Sequence, residues 1–273
     1  GEKKYNVSIC AIFRNEAPYL KEWIEFHKIV GIEHFYIYNN FSDDNYKEVL
    51  RPYMEDGTVD LIEWPYEQGQ MKAYQDCLTK YSVETKWIGF IDLDEFVVPV
   101  KYDLIYEFLS KFEKNRPSVL IYWRLFGTSG KLERDRDTLI TEEFTSCWPK
   151  YDTVGKCFFN TKYEYEYDGK YNTDMHALWG KCNGTFLPPV NFEDRMVVGG
   201  RNIVHTDDFP IQINHYFTKT YQEYWEKVSR GDAFFSLNPR NEDYFYRHDM
   251  LCTGHETKIY KYLIKLKLAM KGK

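Results

Sequence analysis

The chain has 273 residues, 43% of them hydrophobic and 29% charged, with a formal net charge of −6. That is the profile of a globular protein large enough for one α/β domain or two small ones. The acidic balance argues against a nucleic-acid partner held by a basic face. No apolar stretch approaches the roughly 20 residues of a membrane span.

The first hundred residues alternate between two periodicities. Residues 6–13 (NVSICAIF) read as a strand of mostly buryable residues. Residues 15–31 read as a helix in which Leu20, Trp23, Ile24 and His27 share a face and Gly31 closes the end. A second strand covers 32–40, a second helix 44–57, a third strand 58–64 and a third helix 70–82. KWIGFIDLDEFVVP (86–99) reads as a fourth strand and its exit. The order βαβαβαβ predicts a parallel sheet with helices on both faces. After residue 100 the pattern loosens: a strand at 118–127, short β segments and loops over 128–210, a helix at 221–231 ending in Gly231, and a last helix at 256–271. No repeat, low-complexity segment or linker divides the chain. The expectation is one domain, with a nucleotide-binding half to about residue 100 and a second half (101–273) that completes the site. The six cysteines form no CxxC pair, so free buried thiols in a reducing compartment are expected rather than a zinc knuckle.

In open α/β sheets, ligands bind at the carboxyl ends of the strands. Polar groups collect there: Arg14 and Asn15, Asn39 to Asp44, Tyr66 to Gln70, and Asp92 to Glu95. The last group interrupts the most buryable segment of the chain. Burying carboxylates needs something to offset their desolvation. A divalent cation does this, and Mg²⁺ or Mn²⁺ prefers carboxylate oxygen and binds phosphates as well. Two chemistries use an Asp-x-Asp at a strand end. A phosphatase with a nucleophilic Asp expects the motif near the start of its domain, followed by Gly-Thr. Transfer of a sugar from a nucleotide diphosphate uses the metal to neutralise the leaving group. Three βα units before the motif, and Glu95-Phe96-Val97 after it, favour the second. A non-catalytic glycan-binding module is a third alternative.

FRNEAPYLKEWIEFHKIVGIEHFYIYNNFSDD (13–44) resembles the opening of glycosyltransferase family 92. The resemblance continues through QMKAYQDC (70–77), 86–99, RLFGTSG (124–130) and INHYFTKTYQEYWEKVSRG (213–231), and it weakens between 150 and 210. It implies a GT-A fold, with a Rossmann-like, mostly parallel sheet flanked by helices. It also implies a UDP-sugar donor, often UDP-galactose, with Mn²⁺ and inversion at the anomeric carbon. The family's metal motif falls on Asp92 and Asp94, and its other site positions on Asn39, Asn40, Gln70, Asp76, Asn214, His215 and Tyr216.

On that resemblance, Asp94 coordinates the metal, Asp92 holds the metal, a metal-bound water or the ribose, and His215 closes the metal shell. Asn39 and Asp43 lie at the uracil and ribose, or simply make turns. Arg14 contacts the uracil or diphosphate, Gln70 reaches the donor, and Asp76 holds neighbouring loops. An inverting transfer needs a base for the acceptor hydroxyl. The candidates are Glu143, favoured by the resemblance, then Asp174 and Asp208. His176 and Trp179 are candidate acceptor contacts, and GTSG (127–130) is either a close approach to a sugar or a turn. The acceptor is expected to be a glycan or a lipid-linked saccharide. The basic, periodically apolar tail (258–273) either touches an anionic membrane surface or packs on the domain with a solvated lysine face. A bacterial, cytoplasmic location, peripheral at the inner membrane, is the expectation; a Golgi-lumenal one applies if an N-terminal anchor precedes Gly1.

Overall fold

The structure is a computed structural model that describes residues 1–167, 174–230 and 242–272. The elements are β1 (Tyr5–Phe13), α1 (Ala17–Ile29), β2 (His34–Asn39), α2 (Tyr46–Glu55), β3 (Val59–Glu63), α3 (Gln70–Tyr81), β4 (Thr85–Phe90), β5 (Glu95–Pro99), α4 (Ile105–Leu109), β6 (Ser118–Phe126), α5 (Ile140–Glu143), β7 (Ser146–Cys147), β8 (Gly155–Asn160), β9 (Gly180–Cys182), β10 (Thr185–Leu187), β11 (Ile211–Tyr216), α6 (Tyr221–Arg230), α7 (Glu242–Met250), β12 (Gly254–His255) and α8 (Leu263–Lys271).

Strands β3, β2, β1 and β4 lie side by side and parallel, as the βα order predicts. Their side chains alternate across the sheet. Val7, Ile9, Ala11 and Phe13 face one core with α1 and α2, while Cys10 and Ile12 face another with α3. Helices therefore flank both faces. Beyond β4 the sheet leaves chain order: β8 inserts antiparallel between β4 and β6, and β11 runs parallel to β6 and antiparallel to β5. Among the described residues this makes a ten-stranded sheet, mostly parallel in its first half. Gly89 permits the insertion, because a Cβ there would lie 2.5 Å from the Phe158 ring of β8.

Three expectations change. Residues 95–99 are not the exit of the fourth strand but a separate strand, β5, which crosses to pair with β11. The loose region contains β8, a central strand. The last helix is a 3-10 turn at Lys258–Tyr262 followed by α8, packed through buried Leu266. Gly231 lies outside the described residues. No helix among the described residues is long and apolar enough to cross a membrane. All six cysteines are free thiols, four of them buried.

His27 sits on the predicted face of α1 and ties that helix to β5. The Val97 backbone N–H donates to its Nε2 at 3.1 Å, so the proton sits on Nδ1, which donates to the Trp23 carbonyl at 2.8 Å. Burial pushes this imidazole down to about 3, so it stays neutral.

Candidate functional site

The chain turns sharply between β4 and β5, and the turn is built from its own backbone. The Asp92 N–H donates to Glu95 Oε1 at 2.7 Å, and the Glu95 N–H donates to the Asp92 carbonyl at 3.0 Å. Trp23, fully buried on α1, donates its indole N–H to the carbonyls of both Asp92 and Glu95 at 2.9 Å. One oxygen from each of Asp92, Asp94 and Glu95 then lies within 4.8 Å of the others.

The three carboxylates differ in what they meet. Glu95 is fully buried and fully partnered: Lys156 Nζ lies 2.9 Å from Oε1, and the Trp123 indole donates to Oε2 at 2.5 Å. Burial nonetheless raises its pKa, the Lys156 charge offsetting only part of that. Asp92 is half-buried, with Oδ2 3.3 Å from Lys156 Nζ and Oδ1 3.5 Å from the Tyr74 hydroxyl. Burial pushes its carboxyl up, but Lys156, Lys227 and His176 together hold it below its usual value.

Asp94 is only 4% exposed. Its Oδ2 lies 3.3 Å from Lys227 Nζ on α6 and 3.4 Å from His215 Nε2 on β11. Its Oδ1 is buried with no hydrogen-bond partner among the described residues, and so is Nδ1 of His215. Burial opposes ionisation, yet the neighbouring Lys227 and His215 keep the Asp94 carboxyl well below the usual range. Register places His215 opposite Glu95, which is why a residue 121 positions after Asp94 lands on it.

These groups fit a divalent cation. A buried carboxylate oxygen without a partner, a second carboxylate and one imidazole make an oxygen-rich set that suits Mn²⁺ or Mg²⁺. Glu95 fits less well, since both its oxygens are already bonded. One more cation borders the site: Lys219, buried and held at a φ of 53°, lies over the Tyr19 ring, and burial lowers its pKa.

The other expected site residues scatter. Arg14 donates to the Asn40 side chain and carbonyl, Asn40 donates to the carbonyls of Trp64 and Tyr66, and Asn39 binds Tyr46, Glu63 and the Ser42 N–H. All three shape the loop after β2. Asp43 is exposed there, its N–H bonded to Asn15. Gln70 opens α3, and Asp76 accepts from Tyr38 of β2 and pairs with Lys80 of its own helix, so it ties a helix to a strand and not a loop.

Of the candidate bases, Asp174 accepts from the His176 N–H and its charge acts on that imidazole, whose ring lies 5.8 Å from Tyr74. Burial pushes His176 down to about 4. Glu143 pairs with Lys131 at 2.9 Å. Asp208 is not brought to the carboxylate cluster: it pairs with Lys101 beyond the Pro99–Ile211 end of the β5–β11 ribbon, the end opposite His215. In GTSG, Ser129 and Gly130 form a turn at positive φ, while Gly127 is closely packed, a Cβ there lying 2.6 Å from Asp249 Oδ1.

Sequence reasoning missed Lys156, Lys227 and Trp123. Lys156 carries a readable signal, a lone cation inside the apolar strand GKCFFN (β8), the mirror image of the acidic insert. Lys227 and Trp123 carry none.

The chain is similar to a crystal structure of S. aureus TarS, at a TM-score of 0.41 and 11% identity over 63% of this chain and 52% of that one. It is also similar to glucosyl-3-phosphoglycerate synthase from Mycobacterium tuberculosis in complex with Mn²⁺, UDP and glucosyl-3-phosphoglycerate, at a TM-score of 0.33 and 15% identity over 44% of each chain. In sequence it is 34% identical over 97 residues to a glycosyltransferase family 92 protein of Oryza sativa subsp. japonica, covering 35% of this chain and 16% of that protein. It is 36% identical over 113 residues to the beta-1,4-galactosyltransferase galt-1 of Caenorhabditis elegans, covering 36% of this chain and 27% of that protein. The matched segments thus span about a quarter or less of these relatives. The model of one family, glycosyltransferase family 92, matches residues 3–235, most of the chain, and the chain belongs to that family.

Proposed function

We propose that the chain is an inverting, metal-dependent glycosyltransferase that moves a hexosyl group, galactosyl first, from a UDP-sugar to a glycan acceptor. The observation that carries this reading is Asp94: a carboxylate 4% exposed, kept ionised, with one oxygen that accepts no hydrogen bond among the described residues. The galactosyltransferase names of the C. elegans relative and of an Arabidopsis thaliana galactan beta-1,4-galactosyltransferase support the choice of sugar.

In this reading Asp92, Asp94 and His215 hold the cation, which supplies Lewis-acid stabilisation of the departing diphosphate. Lys227, beside Asp94, adds a positive charge where negative charge develops as the glycosidic bond breaks. Lys156 holds Glu95 and Asp92 in place. Arg14, Asn39 and Asn40 shape the loop that would carry the nucleotide, with Asp43 and Gln70 at its edge. Asp174 is the carboxylate best placed to take the acceptor proton, since it alone of the three candidates acts on a ring bordering the site. A lipid-linked acceptor would suit α8, which exposes Ile264 and Leu268 (70% and 65%) among lysines.

Thermal unfolding with Mn²⁺, UDP and a panel of nucleotide sugars tests the reading. A ligand at about 100 times its Kd stabilises the native state by roughly 2.7 kcal/mol. UDP and one UDP-sugar should raise Tm only with metal, and Asp94→Asn should lose the shift. No shift with any nucleotide under any metal overturns the reading.

A further inference from the structure

A cavity of about 300 Å³ has His215, the partner of Asp94, in its lining. Trp123, Trp148, His215 and Phe217 give it aromatic walls, and Asp152 and Arg247 are its charged groups. We infer that this cavity is the acceptor subsite and binds one neutral pyranose unit of a glycan; the inference rests on the transferase reading.

Three features point that way. The first is placement. The His215 ring lies 5.0 Å from Trp123, whose indole N–H is bonded to Glu95, so the cavity and the carboxylate cluster share a wall. A sugar seated there lies next to the transfer site. The second is chemistry. A pyranose offers C–H faces to aromatic rings and hydroxyls to a few polar groups, the mixture that lines this cavity. Asp152 and Arg247 bring one charge of each sign, so the lining favours no net charge and disfavours an anionic saccharide. The Trp148 indole donates to the His248 carbonyl at 3.1 Å, and the Asp152 N–H donates to the Trp123 carbonyl at 3.0 Å, so these walls are fixed before a ligand arrives. A volume near the small end of ligand pockets suits a single ring.

The third feature is where the walls come from. Arg247 lies on α7, Glu242–Met250, and Leu251 follows it, both outside the 3–235 span that the family model matches. The cavity therefore joins residues inside the matched span to residues beyond it.

The test is tryptophan fluorescence of the full chain with Mn²⁺ and UDP present. The probes are methyl β-D-galactopyranoside, β-1,4-galactobiose, cellobiose and, as the charged control, galactose 6-phosphate. At least one neutral saccharide should change the emission saturably, and the phosphorylated sugar should not. Trp148→Ala and Arg247→Ala should each weaken that saccharide roughly tenfold, the loss of one good contact. Trp148→Phe keeps a ring and should retain most of the affinity. The Tm shift given by UDP and Mn²⁺ should be the same in all three variants. The inference is overturned if UDP and Mn²⁺ stabilise the protein but no neutral saccharide changes the emission. It is equally overturned if Trp148→Ala and Arg247→Ala bind the saccharide as the wild type does. If saccharides bind and UDP does not, the cavity is a saccharide site, and both its acceptor role and the transferase reading fall.

Discussion

The two ends of one antiparallel ribbon, β5 against β11, hold opposite kinds of ion pair. At the Pro99–Ile211 end Lys101 meets Asp208, with 48% and 72% of their side chains exposed. At the Glu95–His215 end Glu95, Lys156, Asp94 and His215 keep 12% or less. Contact distance does not separate the two ends. Water screens the first pair almost to nothing. Burial makes the second costly to assemble, so its persistence needs another cause. A charge cluster points to a site when it is buried and one of its oxygens is left over.

The largest blow to that contrast should come from Lys156→Met. It leaves Glu95 buried with no opposite charge and should lower stability by roughly 3–5 kcal/mol in urea unfolding at neutral pH. Next, Asp94→Asn should cut kcat on the order of 10²- to 10³-fold in a transferase assay, with the fold intact by circular dichroism. An unchanged kcat would make Asp94 the equal of Asp208. A third buried pair sharpens the rule. Burial alone would raise the Glu223 carboxyl, but Arg134, 2.8 Å away, more than offsets it and holds it at about 2. A carboxylate held below its unfolded value stabilises above that value and loses the contribution as pH falls. Roughly 3 kcal/mol should therefore disappear between about pH 4.5 and 2. Urea midpoints for the wild type should drop over that window more steeply than those of Glu223→Gln. Smallest of all, Asp208→Ala should change stability by less than about 1 kcal/mol and leave kcat alone.

The βα units of the first half were legible because their signals are local. Strand parity and helical spacing both repeat within a few residues, and the predicted ends of α1, β2, α2, β3 and α3 fall within two residues of those observed. The acidic insert was legible for the same reason: Asp92 and Asp94 break an apolar run that can be seen without a fold. What surrounds them was not. β8 reaches β4 from 65 residues downstream of its own pairing partner's end, since Gly155 follows Phe90 by that interval. Periodicity carries no information about such partners. Lys156, Trp123 and Lys227 arrive through pairings and packing of that kind. His215 was found only through family likeness. Asp208 was proposed as a base because it is acidic and lies in a loop, properties it shares with most surface carboxylates.

Trp23 sits fully buried in the core, yet its indole N–H grips the carbonyls on either side of the acidic turn. Attempts to make this chain hardier by repacking the helix α1 interface would meet that grip first. A Phe or Leu at the position keeps the oily volume and drops the clasp. The expected product is a protein that melts close to where it did before and no longer aims its carboxylates. Here the usual division of labour between a core that folds and a surface that works breaks down at one nitrogen atom.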